Sequence, residues 1–186
     1  HTDVFSAQSS KKNGQPCGDV FGVIRDLNAT TIVLADGLGS GIKAHISATM
    51  CVARITSLIK EGASIREAFK SVTDTMDKAW GTGEPFSVFT VARILNNGNT
   101  TVLSYEMPPP ILVSPVYAQI LNDRVYTQNK AIIHESICML SKDEGILLVS
   151  DGITQAGIGQ RFINGWESEG VWRYVESMLD GERING

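Results

Sequence analysis

Three aspartates that neighbour glycines are the residues of this sequence most suited to chemistry. Asp36 and Asp151 are each followed by a glycine, and Asp19 is preceded by one. A glycine after an aspartate leaves the backbone carbonyl open to a ligand, and Mg²⁺ and Mn²⁺ prefer carboxylate and carbonyl oxygens. Carboxylates collected without a cation would repel one another and raise one another's pKa. If the fold brings these three side chains together, a divalent metal site is therefore predicted.

The loop around Asp36 could also bind phosphate or serve only to shape the chain. An apolar run at 32–34 leads to Asp36, and glycines at 37, 39 and 41 follow before a helical pattern begins. Such a loop can cradle a phosphate, and an aspartate there can cap the helix or shape the turn. A dinucleotide-binding loop needs different glycine spacing and parallel βαβ repeats, which this chain lacks. A fixed negative charge repels phosphate, so Asp36 favours metal binding.

The elements next to the aspartates predict that two of them meet. Strands at 20–25 and 30–35 are joined by a short polar connection typical of an antiparallel hairpin. The start of the first strand then adjoins the end of the second, which places Asp19 beside Asp36. Asp151 follows a later apolar strand at 145–149, in the same order of strand, aspartate and glycine. Because an Asp-Gly pair follows a strand twice in this chain, we expect these aspartates to do more than shape turns.

The remaining pattern predicts an α+β fold. Apolar residues recur every three or four positions over 44–59 and 65–80, which is typical of two amphipathic helices covering one face of a sheet. Ser64 and Glu67 have the spacing of a helix-capping box, and a further helical pattern lies at 171–179. The extended segments between the helices form hairpins, which indicates a mainly antiparallel sheet structure. We predict other strands at 3–8, 86–95, 100–105, 111–114, 117–120, 124–126 and 131–139.

Composition limits the class of protein. The chain has 186 residues, 42% of them hydrophobic and 19% charged, with a formal net charge of -4. We predict a single domain over 1–186, with no nucleic-acid partner, because no lysine or arginine run could neutralise a phosphate backbone. No apolar run approaches the roughly 20 residues needed to cross a bilayer, so no membrane segment is expected. Three widely spaced cysteines indicate reduced thiols and a cytoplasmic location.

The ordered motifs Gly18-Asp19, residues 35–41 and residues 148–152 resemble those of the metal-dependent protein phosphatases related to phosphatase 2C, and most closely the bacterial SpoIIE-like serine phosphatase branch. The resemblance covers about residues 3–157. It implies an αββα sandwich of two mainly antiparallel sheets flanked by helices. It also implies a serine/threonine phosphatase that acts on a phosphorylated bacterial regulatory protein, for example an anti-sigma-factor antagonist.

The resemblance further implies a site with two ions, Mn²⁺ or Mg²⁺, and a metal-bridging hydroxide that attacks phosphorus directly. Asp36 would bridge both ions and would be the central catalytic residue. The Gly37 carbonyl and Asp19 would bind one of these ions, and Asp151 would bind the other.

The chain departs from this family pattern at its end and in two loops. Members often have a histidine where this chain has Ser40, and a Gly-x-x-Pro-Pro segment where it has 106–110. They also supply a last aspartate that opens a final strand, and nothing after Asp151 matches it. We therefore expect the last strand to be missing, with Asp180 a candidate by position only. This departure supports a rival interpretation, a non-catalytic phosphatase-like module that binds partners or senses phosphoprotein with an incomplete metal site.

Four more polar residues could have either a functional or a structural role. His45, in the first predicted helix, and His134, in a strand, could each donate a proton, but a solvated or core histidine is the favoured interpretation of each. Lys11 and Lys12 precede Asp19 and could attract a phosphoprotein, although a solvated loop is the simpler interpretation.

Overall fold

The computed structural model describes residues 2–10, 14, 16–79, 82, 85–156, 158 and 164–185, except for the side chains of 180–185. The strands are β1 (Asp19–Arg25), β2 (Ala29–Gly37), β3 (Ser87–Leu95), β4 (Asn99–Tyr105), β5 (Ile111–Val113), β6 (Ala118–Ile120), β7 (Arg124–Gln128), β8 (Ala131–Met139) and β9 (Gly145–Leu147). The helices are α1 (Ile42–Lys60), α2 (Ile65–Ala79), α3 (Asp151–Thr154) and α4 (Glu167–Asn185).

The strands form two antiparallel sheets. The larger sheet has the order β1-β2-β3-β4-β8-β7, and the smaller one has the order β6-β5-β9. No helix interrupts the chain between β3 and β9, as the succession of extended segments predicts. Each consecutive pair among β1, β2, β3 and β4 is adjacent and antiparallel in the larger sheet. Short turns join β1 to β2 and β3 to β4, and the pair of helices α1 and α2 joins β2 to β3.

Helices α1 and α2 cover one face of the larger sheet. Val33 and Ala35 alternate along β2 toward these helices, where they join a core that includes Phe69 of α2 and Phe89 of β3. The centroids of these two rings lie 4.8 Å apart. The predicted capping box begins α2, since the Ser64 N–H donates to the Glu67 carboxylate at 2.8 Å and the Glu67 N–H donates to the Ser64 Oγ at 3.2 Å.

The opposite face of the larger sheet is also buried, as Thr90, Ala92 and Val102 show. Burial on both faces requires a second layer, which the smaller sheet provides. Helix α4 packs on the smaller sheet through Val171, and the Trp172 Nε1 donates to the Ala118 carbonyl at 2.7 Å. The layers are therefore helix, sheet, sheet and helix, which confirms the predicted αββα sandwich.

Several local predictions differ from the structure. Residues 3–8 form no strand, and contacts of Gln8 and Thr2 with β1 hold this segment instead. Of its larger apolar side chains, Phe5 is 93% exposed and Val4 is only half-buried, so the segment buries too little apolar surface to define a strand. Strand β9 ends at residue 147 rather than 149. Helix α4 continues to residue 185 through Gly181, because a glycine within a helix costs only about 1 kcal/mol.

In the part of the chain that the structure describes, no helix is both long enough and apolar enough to cross a bilayer.

Candidate metal centre

The β1–β2 hairpin places Asp19 directly opposite Asp36, as predicted. The Asp26 carboxylate fixes the connection, because it accepts hydrogen bonds from the N–H groups of Asn28 and Ala29 at 2.8 and 2.9 Å. Arg93 of β3 donates to the other oxygen of Asp26 at 2.8 Å. Opposed residues of antiparallel strands have Cβ atoms about 5 Å apart on the same face of the sheet. The turn therefore sets the register in which the two carboxylates meet.

Strand alternation decides which face carries these carboxylates. Val33 and Ala35 face the helices, so Asp36 points to the other face of β2, toward the smaller sheet. Asp19 shares that face, since its neighbour Val20 packs with the helix-side core. The two carboxylates thus lie at one end of the space between the sheets.

The smaller sheet brings the third aspartate to the same place. Strand β9 leads to Ser150, whose Oγ donates to the Asp19 Oδ2 at 2.8 Å across 131 residues of sequence. Asp151 is the first residue of α3, and the Gln155 Nε2 donates to its Oδ2 at 2.9 Å. The sequence predicts Asp151 at the end of a strand, whereas it begins a short helix. Sequence reasoning missed Ser150 as a link between the sheets, although its position before the Asp-Gly pair was visible.

The carboxyl of Asp36 has a perturbed protonation equilibrium. Its pKa is raised to about 8, first by burial and then by a side-chain hydrogen bond with Asp151 and the negative charges of Asp19 and Asp151. Desolvation and like charge both disfavour the ionised carboxyl. A divalent cation would reverse this preference, because it attracts the charge that the neighbouring carboxylates repel.

The donor chemistry suits a hard cation, although the side chains are not collected around one point. Among the described residues, no three His, Cys, Asp or Glu side chains form a ready set of metal ligands. Ser150 and Gln155 hold two of the three carboxylates in hydrogen bonds within the protein. Carboxylate oxygens are nevertheless the ligands that Mg²⁺ and Mn²⁺ prefer, and the carboxylates of Asp19 and Asp151 lie near enough to Asp36 to raise its pKa. The residues therefore fit divalent cations by type and by charge.

Gly37 has a structural role that its sequence position did not reveal. A Cβ atom at this residue would lie 1.9 Å from the Ala44 carbonyl oxygen and 2.5 Å from its carbonyl carbon. The Gly37 N–H donates to the Gly18 carbonyl at 3.3 Å, which ties the loop before β1 to the end of β2. Only glycine allows this approach between β2 and the first turn of α1. Its carbonyl as a metal ligand stays a prediction.

The two candidate histidines have other contacts. The Nδ1 of His45 donates to the Cys17 carbonyl at 2.8 Å, which ties α1 to the segment before β1. His134 pairs with Asp123 and lies on β8, three strands from β2. At about 4.8 Å per strand, that separation is about 14 Å, too far for direct contact with Asp36. Lys11, Lys12 and the side chain of Asp180 lie outside the described residues.

The fold is that of phosphatase 2C-type domains. The phosphatase domain of SpoIIE from Bacillus subtilis, solved with a fragment of its regulatory domain, has a TM-score of 0.72 and 15% identity, over 96% of this chain and 55% of that chain. The RsbU and RsbW domains of Rv1364c from Mycobacterium tuberculosis have a TM-score of 0.73 and 17% identity, over 94% of this chain and 49% of that chain. RsbX in complex with magnesium has a TM-score of 0.62 and 18% identity, over 94% of this chain and 84% of that chain. This chain spans about half the length of the first two.

A match to a protein-family model assigns the chain to a family. The family model described as Stage II sporulation protein E (SpoIIE) matches residues 27–169, which is more than half of the chain. The chain belongs to this family, as the ordered motifs predicted. The match includes Asp36 and Asp151, whereas Asp19 lies before it. No curated protein matches the chain.

Proposed function

We propose that this chain is a metal-dependent protein phosphatase that hydrolyses phosphoserine or phosphothreonine on a regulatory protein. The observation that best supports this function is that Asp19 and Asp151 lie near Asp36, close enough for their negative charges, together with burial, to raise the pKa of Asp36. An anti-sigma-factor antagonist is the proposed class of substrate. The similarity to the SpoIIE phosphatase domain, solved with a regulatory fragment, and to the RsbU and RsbW domains supports a regulatory role.

Each proposed ligand has a distinct position. Asp36 would lie between two cations, Asp19 and the Gly37 carbonyl would hold the first, and Asp151 would hold the second. When bound, two divalent cations supply positive charge for the phosphoryl oxygens and lower the pKa of water. Manganese and magnesium are the proposed ions, and the magnesium complex of the similar RsbX supports this choice.

The chain's own residues would orient this site. Ser150 donates to Asp19 and Gln155 donates to Asp151, so one oxygen of each carboxylate is held in place. Partners of this kind account for about 10- to 100-fold in metal affinity or activity. The Asp26 turn and its contact with Arg93 hold the register that pairs Asp19 with Asp36.

Phosphate release from a phosphoserine peptide tests the proposal. We expect release with Mn²⁺ or Mg²⁺, its loss in EDTA, and a large decrease in Asp151→Asn. Asp143→Asn is the matched control, because it removes the same charge at an exposed turn residue whose positive φ of 67° asparagine also adopts. Absence of release from the folded chain at millimolar Mn²⁺ would contradict the proposal. Peptide binding without hydrolysis would then favour the non-catalytic module.

Hydrolysis of the phosphoserine peptide is expected to persist when all three cysteines are replaced, because direct attack by water on phosphorus needs no thiol nucleophile. Burial raises the pKa of the Cys51 thiol to about 12, and burial followed by the charge of Glu144 raises that of Cys138. The Cys17 Sγ donates to the Ser9 carbonyl at 3.6 Å. A variant with alanine at all three positions should retain peptide turnover where circular dichroism shows that it folds. Trapping of a phosphocysteine in the parent chain would refute direct hydrolysis.

A further inference from the structure

The solvent face of α1 carries a row of exposed apolar side chains. Ile42, Ile46 and Met50 follow one another at intervals of four residues and are 66%, 49% and 56% exposed. Leu38, in the loop that leads to α1, is 68% exposed. We call these four residues the apolar ridge. Single exposed apolar side chains are ordinary, but a contiguous group marks an interaction surface.

The charges on α1 indicate what kind of partner fits the apolar ridge. Between its first and last residues, α1 contains no aspartate or glutamate, whereas Lys43, Arg54 and Lys60 are all exposed. Lys43 follows the first ridge residue of the helix, and Arg54 continues the row one turn beyond Met50. The whole chain has a net charge of -4, so this basic helix differs from the rest of the protein. Complementary charge favours an acidic partner and disfavours a second α1.

The apolar ridge starts at the candidate site. Leu38 follows Gly37 directly, and the row on α1 extends about 12 Å from Ile42 to Met50 at about 1.5 Å per residue. A protein lying along this row would reach the edge of the sheet where β2 ends, and its adjoining segment would pass around that edge to Asp36, which faces the smaller sheet. A small phosphate ester would reach Asp36 without touching the distal half of the row.

We propose that the apolar ridge docks the protein substrate through an acidic, apolar surface beside the phosphorylated residue. This inference rests on the proposed phosphatase function and assigns substrate selection to α1. Ile46 and Met50 supply apolar contact, and Arg54 supplies charge. These residues distinguish a protein substrate from a free phosphate ester.

The first test compares three phosphate monoesters. Two are phosphoserine peptides that differ only in their flanks, Glu and Leu in one and Ser and Gly in the other, and the third is p-nitrophenyl phosphate. In the double variant Ile46→Gln/Met50→Gln, kcat/KM for the Glu/Leu peptide should fall about tenfold relative to kcat/KM for p-nitrophenyl phosphate, because two apolar contacts with the peptide are lost. The fall should come from a higher KM for the peptide. Glutamine keeps the helix propensity of α1 high. Met178→Gln on α4 is the matched control, because Met178 is 57% exposed.

The second test measures affinity without turnover. Fluorescence anisotropy with the labelled Glu/Leu peptide in EDTA should show weaker binding to Ile46→Gln/Met50→Gln and to Arg54→Glu, and unchanged binding to Lys130→Glu in the exposed β7–β8 turn. Equal affinity of the ridge variants and the parent would overturn the docking proposal, even if hydrolysis is observed. Ridge-dependent binding without hydrolysis would support docking and refute the phosphatase function. A dimer that the ridge substitutions dissociate would show that a second copy occupies the ridge, which also overturns the proposal.

Discussion

Asp36→Asn is expected to abolish metal-dependent phosphate release while the fold is retained. The proposed role of Asp36 is to hold both cations, whereas Asp19 and Asp151 would each hold one. Since outer partners of metal ligands already account for about 10- to 100-fold, loss of this ligand should lower activity by more than about a hundredfold. Phosphopeptide turnover and calorimetric titration with Mn²⁺ measure the two effects. Unchanged stoichiometry and affinity for Mn²⁺ would show that Asp36 only forms the turn.

The same substitution should change how the metal-free protein responds to pH. The pKa of Asp36 is raised from 3.8 to about 8, so the folded state binds this proton more tightly than the unfolded state does. The parent therefore loses the corresponding stability as pH rises from about 4 to about 8, and asparagine cannot lose it. In EDTA, the free energy of unfolding of Asp36→Asn relative to the parent should rise over this window. Urea unfolding at pH 5 and pH 8 measures this difference, and an equal difference at both values would contradict the electrostatic origin of the effect.

Gly37→Ala is expected to be the most destabilising of these substitutions. The added Cβ would lie 1.9, 2.5 and 2.8 Å from three backbone atoms of Ala44, and backbone cannot rotate away as a flexible side chain can. The first turn of α1 would have to move from the end of β2, at a cost of about 3 kcal/mol or more. We expect this loss in urea unfolding without metal.

Gly145→Ala is the matched control for this substitution. Gly145 also lies in a strand, but a Cβ there would have no atom within 4 Å, so the free energy of unfolding should change by less than about 1 kcal/mol. Equal stability of the two variants would show that the close approach at Gly37 is relieved at little cost. Because the unfolding measurement needs no metal, it separates this packing role from the proposed ligand role of the carbonyl.

Short-range features were predictable because they depend on neighbours in sequence. The polar connection at Asp26 predicted a hairpin, and a hairpin register pairs Asp19 with Asp36 whatever the rest of the chain does. The apolar period of 44–59 predicted α1, and the Ser64 box predicted the start of α2. The prediction of a strand at 3–8 was wrong, because β propensity without burial does not form a strand.

The local structure and contacts around Asp151 could not be predicted, because they depend on packing between segments that are distant in sequence. Asp-Gly after an apolar run marked Asp151 as a candidate, but that pattern could not say that it begins a helix or that Ser150 reaches Asp19 across 131 residues. Packing of the smaller sheet against the larger one decides this, and sheet packing leaves no periodic signal in the sequence. The roles of Asp19, Asp36, Gly37 and Asp151 as metal ligands stay predictions.

The residue types of the candidate site, the pairing of two carboxylates and the family motifs followed from local sequence patterns, because alternation and turn chemistry act over a few residues. Packing between the layers places the carboxylates toward the smaller sheet, Gly37 against the Ala44 backbone and the apolar ridge of α1 in solvent. The 3.6-residue period of α1 predicts which residues lie on the same face of the helix, but packing against the sheet determines which face is buried. Contacts between layers are set by the shapes of surfaces that distant segments build together.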